Sequence, residues 1–206
     1  MRTDYRKLDD GEFGLFVGRV RAGDDQHQGE PSAFAPAERE RLNTAAAGWE
    51  TLFKRIKLLE AERVEFKQTR DEKLGDFRQT VRAAREWVVG QFERGDEMPG
   101  LYGLAHIAPR SIGRAVSYGQ ILLESNAPDR ELDPPLPDWL LTPIQDDYSA
   151  MTAAISAYDQ KVAELRDARA ERNVLRKEIH KQVRSLRQYL YARLGRDSHQ
   201  LADYGF

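Results

Sequence analysis

The sequence predicts an all-α protein whose long antiparallel helices form a four-helix bundle or a coiled-coil-like unit. Two stretches of about fifty residues carry apolar side chains at spacings of three and four, which is the period of an amphipathic helix. Neither stretch contains proline beyond its first turn. Charged residues make up 32% of the chain and apolar residues 40%, which indicates a soluble protein with a modest core.

Residues 1–35 are rich in Gly, Asp and Gln and contain one apolar patch, at residues 13–20. The patch suits either a short strand or an extended segment. No second strand candidate lies nearby to pair with it, and a lone strand is unstable. We therefore predict an N-terminal extended arm laid on the helices.

The first long helix is predicted over residues 36–92, within a first helical repeat of residues 36–104. Pro36 suits the first turn, where its missing N–H would have no partner. Glu38 and Glu40 complement the positive end of the helix dipole. Gly95 is suited to a left-handed cap, so we expect the helix to end beside it.

Residues 105–140 are predicted to connect the two repeats. Residues 111–124 have the pattern of a short helix, with Ile112, Ala115 and Leu122 on one side. The following segment, 126–137, contains four prolines and several acidic residues, which is typical of a linker.

The second long helix is predicted to begin at Thr142, with Pro143 at the first helical position and Gln145 completing a capping box. It should run to Leu194 and end at Gly195. This second repeat covers residues 141–206, and residues 36–206 are expected to pack as one domain.

A shift of 102 residues aligns the chain with itself in one ungapped register, which predicts a tandem repeat of one long-helix unit. The alternative is two unrelated helices that share an arginine-rich composition. Matched segments include Val81-Arg82 with Val183-Arg184, Arg85 with Arg187, Arg94 with Arg196, and Tyr102-Gly103-Leu104 with Tyr204-Gly205-Phe206.

The segment from Leu141-Thr142-Pro143 to the tail Gly195-Arg-Asp-Ser-His-Gln-Leu-Ala-Asp-Tyr-Gly-Phe206 resembles a diffuse set of uncharacterised bacterial proteins. In that set, Leu-Thr-Pro introduces a long helix that ends in a Tyr-Gly-x-Asp-Ser-x-x-Leu-x-x-Phe-Gly-Phe tail. Leu194 stands where the set has Tyr, and residues 36–104 resemble it more faintly. The resemblance implies a duplicated helical architecture and assigns no catalytic residue.

The net charge of −2 gives no whole-molecule argument for a nucleic-acid or membrane partner. The charge is nevertheless uneven: residues 96–160 sum to −7 and residues 161–196 to +7. The basic block could face phosphate. We favour the alternative, in which it docks against the acidic block of the same or a neighbouring chain.

Both long helices lose their apolar stripe at the same point of the repeat, at residues 67–73 and 169–172. Antiparallel packing would bring the two interruptions together as a polar layer that fixes register. The alternative is a turn in each helix, which is disfavoured because neither segment contains Gly or Pro. The predicted interaction residues of this layer are Arg70, Arg172, Glu62 and Glu164.

Candidate chemistry is sparse. Cysteine is absent, which excludes disulfides, thiolate metal sites and cysteine nucleophiles. The four histidines lack metal-ligand spacing, and His180 is expected to be solvated. No nucleophile elbow or phosphate-binding loop is present. We therefore assign no catalytic, cofactor-binding or metal-binding residue and expect no cofactor.

These observations predict a non-enzymatic helical scaffold, in the cytoplasm, that associates with itself or with other protein subunits. Self-association is expected because two long helices alone bury only one seam. The alternative is a nucleic-acid-associated protein that uses the basic segment 166–196, with Arg176, Arg184 and Arg187 on phosphate. A third interpretation is an enzyme whose site forms at a subunit interface. No segment is apolar enough for a membrane span, and no signal peptide is visible.

Overall fold

The computed structural model describes residues 7–30, 33–92, 98–104, 111–128, 130 and 132–206. These residues form helices and no strand, so the all-α prediction is confirmed. In this part of the chain, no helix is both long enough and apolar enough to cross a bilayer. The helices are α1 (Asp10–Gln26), α2 (Pro36–Gln91), α3 (Met98–Leu101), α4 (Ile112–Ser125), α5 (Asp138–Leu194) and α6 (Gln200–Asp203).

The two long helices are continuous, with 56 residues in α2 and 57 in α5. Neither breaks at 67–73 or at 169–172, which confirms the predicted continuity. The helix α2 begins at the predicted Pro36. It ends at Gln91, one residue before the predicted Phe92, and the predicted cap residue Gly95 lies outside the described residues. Gly195, at φ +80°, follows α5 as predicted.

The start of α5 was predicted wrongly. The helix begins at Asp138, four residues before the expected N-cap Thr142, and Pro143 lies inside it. Leu140 and Ile144 are 3% and 0% exposed, and their spacing of four places both on one buried face. Burial of this face favours the extra helical turn, and a proline so close to the N-terminus removes only one helical hydrogen bond.

The chain forms two compact units. The first unit consists of Met1–Glu60 and Glu164–Phe206. Its apolar core lies between α1, the beginning of α2, the end of α5 and α6. Its largest buried side chains include Phe13, Val17 and Val20 of α1, Leu42 and Trp49 of α2, Ile179, Val183 and Leu190 of α5, and Tyr204 beside α6.

The second unit consists of Ala61–Ala163. Its core lies between the end of α2, the turn after α3, α4 and the beginning of α5. Its buried side chains include Phe77, Val81 and Val88 of α2, Tyr102 and Leu104 after α3, Ala115 and Leu122 of α4, and Leu140, Ile144 and Met151 of α5.

The two long helices are antiparallel within each unit. In the first unit, Arg55 pairs with Glu171 at 3.3 Å and Glu60 pairs with Arg169 at 2.8 Å. In the second unit, Glu62 pairs with Lys161 at 3.0 Å and the Thr80 hydroxyl donates to Asp147. Residue numbers on α5 therefore fall as those on α2 rise.

The predicted extended arm is wrong, because residues 10–26 form α1. Asp9 caps this helix: its side chain accepts the N–H of Glu12 at 2.8 Å, and the Glu12 carboxylate accepts the N–H of Asp9 at 3.0 Å. Four apolar residues then recur at helical spacing and are buried: Phe13, Phe16, Val17 and Val20. The glycines of this segment lower its helix propensity, so the helical period was not recognised in the sequence. Burial of one face outweighs the conformational-entropy cost of these glycines.

The helix bounds in the two halves of the chain are related by a constant offset. Adding 102 to the bounds of α3 gives those of α6, and adding 102 to the first residues of α1 and α2 gives those of α4 and α5. Gly103 and Gly205 have φ values of +72° and +77°. Tyr102 and Tyr204, one residue before these glycines, are both 0% exposed.

Candidate functional site: two grooves and a buried polar cluster

A groove of about 330 Å³ lies on the first unit, where the beginning of α2 meets the end of α5. We call it the Lys181 groove. The amide oxygen of Gln182 in its wall is buried and has no hydrogen-bond partner among the described residues. The lining residues are Glu38 and Arg41 of α2 with Glu178, Lys181, Gln182, Ser185 and Leu186 of α5. This groove is charged and offers both donors and acceptors.

A second groove, of about 440 Å³, lies on the second unit, where the end of α2 meets the beginning of α5. We call it the Trp139 groove. Trp139 is 66% exposed, and the Asp147 carboxylate accepts a hydrogen bond from the Thr80 hydroxyl. The lining residues are Asp76, Gln79, Thr80 and Ala83 of α2 with Trp139, Leu140, Pro143 and Asp147 of α5. This groove combines an exposed aromatic ring with two carboxylates.

The two grooves occupy corresponding positions in the sequence. Six of the seven residues that line the Lys181 groove lie 102 positions from a residue that lines the Trp139 groove. Lys181 corresponds to Gln79, and Arg41 corresponds to Pro143. The same helix segments therefore build both grooves, while the side chains in them differ.

His27 is held between two carboxylates at the end of α1. Its Nε2 lies 3.0 Å from Oδ2 of Asp203, and its Nδ1 lies 3.1 Å from Oε2 of Glu30. The ring is stacked on Tyr204, with centroids 5.5 Å apart, and the residue is only 6% exposed. The hydrogen bond to Asp203 raises the pKa of His27, with Glu30 adding to the effect and burial opposing it. An imidazolium can donate to both carboxylates, whereas a neutral ring can donate to only one.

Asp24 forms a second buried polar contact next to this histidine. It is 1% exposed and accepts the backbone N–H of Phe34 at 2.7 Å and the Nε–H of Arg39. The same hydrogen bond raises the pKa of Arg39 above its ordinary value. These contacts join the end of α1 to the beginning of α2, so the cluster stabilises the first unit rather than presenting reactive groups.

Arginines of α5 bind the start of α1. Arg172 donates to Oδ2 of Asp10 at 2.5 Å, and Arg176 donates to Oδ1 of Asp10 at 2.9 Å and to the carbonyl of Leu8. The Arg176 guanidinium also lies 4.8 Å from the centroid of the Phe13 ring. Arg176, predicted as a phosphate contact, is therefore engaged within the first unit.

Arg70 and Arg172, which were predicted to meet in a polar layer, each contact other residues of their own unit. Arg70 donates to Asp71 at 2.6 Å and lies 4.4 Å from the centroid of the Tyr158 ring, whereas Arg172 donates to Asp10. Since Arg55 pairs with Glu171, Arg172 lies across from the segment just before residue 55. Sequence periodicity alone did not determine this register.

The remaining predicted site residues have separate surroundings. Glu62 pairs with Lys161, and Glu164 lies on α5 in the first unit. Arg184 is exposed, and the Arg187 guanidinium lies 5.2 Å from the centroid of the Tyr191 ring. These residues are not gathered into one site.

Arginines of the basic block form ion pairs within the first unit, and docking of this block against the acidic block of the same or a neighbouring chain stays a prediction. Arg169 of α5 pairs with Glu60, and Arg172 and Arg176 pair with Asp10, so these acidic partners lie outside the block 96–160. His180, expected to be solvated, is half-buried with its ring 4.8 Å from that of Phe13. The basic block is thus partly neutralised by the N-terminal segment that was predicted to be an arm.

The described residues contain no group of three or more His, Asp or Glu side chains that could hold a metal ion. The grooves and the His27 cluster were missed by sequence reasoning, because each draws its residues from segments far apart in the chain. No protein-family model, no curated protein and no solved structure matches the chain.

Proposed function

We propose that this chain is a non-enzymatic helical scaffold that binds protein partners through two related units, which arose by internal duplication. The observation that carries the proposal is the recurrence of the two grooves at positions 102 residues apart with different side chains. A duplicated framework that keeps its helices and changes its groove linings is suited to binding two partners, or two parts of one partner.

The helices support the duplication. Their first residues correspond pairwise at an offset of 102, and so do the buried tyrosines Tyr102 and Tyr204. Core positions correspond as well: Val81 with Val183 and Val88 with Leu190 are all at most 1% exposed. Shared burial at a constant offset is what two copies of one packing unit produce.

The sequence predicts self-association because two long helices alone would bury only one seam, but each unit also contains shorter helices. The helices α1 and α6 contribute to the core of the first unit, and α4 contributes to that of the second. These shorter helices cover part of the long helices, while Leu58, Val64, Val162 and Val174 stay exposed.

Position-specific cross-linking in cells tests the proposal. A photoreactive amino acid at Lys181 or Gln79 is expected to capture the same defined proteins in replicate experiments, while the control positions Arg166 and Leu15, both exposed, do not capture them. No groove-specific product, or identical products at all four positions, would contradict the proposal. Nucleic acid retained at low salt and lost on reversing Arg184 and Arg187 would support the phosphate-binding alternative instead.

A further inference from the structure

The Trp139 groove has the chemistry of a site for a cationic helix face, and such a face is present on the first unit. We propose that the Trp139 groove of one copy binds the exposed side chains of Lys177, Lys181 and Arg184 of a second copy. This inference rests on the proposed scaffold function and names one of its partners.

Trp139 is the anchor of the groove. It is 66% exposed, whereas Trp49 is 4% exposed in the core of the first unit. An indole ring contributes more to an interface than most side chains because it is large, rigid and polarisable. Its face also attracts lysine and arginine cations, and their aliphatic stems can lie along the ring.

Carboxylates next to this ring select for positive charge. Asp76 and Asp147 line the groove, and Glu72 lies one turn before Asp76 on the same face of α2. Asp76 pairs with Lys73 at 3.0 Å, but its side chain remains 42% exposed. The second unit as a whole has 12 basic and 17 acidic side chains.

The complementary surface lies on α5 in the first unit. Lys177, Lys181 and Arg184 are spaced by four and three residues, so they share one helix face, and all three are exposed. The first unit has 20 basic and 17 acidic side chains. Opposite net charges on two surfaces favour encounter and set their orientation.

The contact would be heterologous, because the groove and the cationic face lie in different units of the chain. Each copy carries one of each, so an associated pair retains one groove and one cationic face. Further copies can therefore add until a ring closes or a filament forms.

Sedimentation velocity of the full chain gives the first test. We expect association that increases with protein concentration at about 0.01 M salt and weakens at about 0.15 M, where charges are screened over shorter distances. Trp139→Ala should raise the dissociation constant about tenfold or more. The control Val89→Ala, at another exposed apolar residue of the second unit, should leave it unchanged.

Mixing two variants tests the geometry of the contact. Trp139→Ala removes the groove anchor, and Arg184→Glu reverses a charge on the cationic face, so each variant alone should associate weakly. Their mixture retains one intact groove and one intact face, and should form a one-to-one complex that does not grow. Arg166→Glu is the charge control, because its side chain is 78% exposed and outside the proposed face. Circular dichroism checks that every variant is folded.

Wild-type protein that stays monomeric at low salt would overturn the inference, as would association that Trp139→Ala leaves intact or a mixture that fails to form the complex. None of these results would affect groove-specific cross-links to other proteins, so the scaffold function can survive the failure of this inference. If the protein self-associates but gives no such cross-links, this inference stands and the binding of other proteins through the grooves is contradicted.

Discussion

Positions 102 residues apart in the two units carry side chains of different chemistry. In the first, Arg176 of α5 binds Asp10 at the start of α1. In the second, the positions 102 residues away are occupied by Leu74 and Ile112, which both belong to the apolar cluster of that unit. The positions of an ion pair in the first unit are thus occupied in the second by two residues of its apolar cluster.

The same contrast occurs at the end of the short helix of each unit. The buried Asp24 of the first unit binds Arg39, whereas the corresponding residues of the second are Asn126 and Leu141. Asn126 donates its amide to the carbonyls of Tyr102 at 2.9 Å and Leu122 at 2.8 Å. Replacing both members of a buried pair is often nearly neutral, but removing one leaves an uncompensated group.

Side-chain volumes compensate within each unit. In the second, Gly119 faces the ring of Tyr148, whereas the corresponding residues of the first are Val17 and Ala46. Gly14 faces Trp49 in the first unit, and the corresponding residues of the second are Val116 and Met151. In both cases a larger residue on one helix accompanies a smaller one on its neighbour, as close packing requires.

We expect the largest loss of stability from Asp24→Ala, at a buried contact that the first unit has and the second lacks. The substitution leaves the Phe34 N–H and the Arg39 guanidinium without their acceptor, and we expect the free energy of unfolding to fall by about 3 kcal/mol. Urea denaturation followed by circular dichroism measures the loss. Hydrogen exchange should place it in α1 and the beginning of α2 rather than in α4.

The double variant Asp24→Asn with Arg39→Leu gives the first unit the residues of the second. It should recover at least half of the stability lost in Asp24→Ala, because no buried charge remains unpaired. A double variant as unstable as Asp24→Ala would show that the two units are not interchangeable at this position.

Much of the fold could be predicted because long amphipathic patterns define helices locally. The start of α2 at Pro36 and the short helix α4 followed from caps and period alone. The helix α1 was missed although Asp9 and Glu12 form a capping-box pattern before Phe13, because four glycines lowered the apparent helix propensity. Burial of its apolar face in the core favours the helix in that segment.

The candidate sites were far less predictable. The polar layer at Arg70 and Arg172 assumed a register between the long helices, and a helix pattern does not specify which residues of a partner it meets. His27 and Asp203 are 176 residues apart in the sequence, and no local signal connects them. The exposure of Trp139 likewise depends on where α5 begins, which was predicted four residues too late.

A smaller effect is expected from Gly119→Val, which places the valine of the first unit into the second. A Cβ atom at residue 119 would lie 2.3 Å from Cδ2 of Tyr148 and 3.0 Å from Cζ of Phe77. We expect a loss of about 2 kcal/mol in the free energy of unfolding from overpacking, measured by urea denaturation.

Adding Tyr148→Ala to Gly119→Val completes the combination found in the first unit and should restore at least half of this loss. Gly113→Ala is the matched control on the same helix, because a Cβ there meets nothing within 4 Å. It should stabilise the protein by about 0.5–1 kcal/mol through helix propensity alone. A double variant no more stable than Gly119→Val would contradict the proposed compensation.

The smallest effect is expected in the pH dependence of stability. It distinguishes the two units because His27 of the first corresponds in sequence to an aspartate, residue 129. Hydrogen bonding to Asp203 raises the pKa of His27 in the folded protein above its unfolded value, so the protonated form stabilises the first unit. This stabilisation is complete below about pH 6.5 and is lost as the pH rises through the raised folded pKa. Urea denaturation should therefore show wild-type stability falling over this range relative to His27→Gln.

The exposed His199 provides the control, because His199→Gln should keep the wild-type dependence. An NMR titration that places the pKa of His27 at or below that of a free imidazole would contradict the stabilising role of its contacts with Asp203 and Glu30.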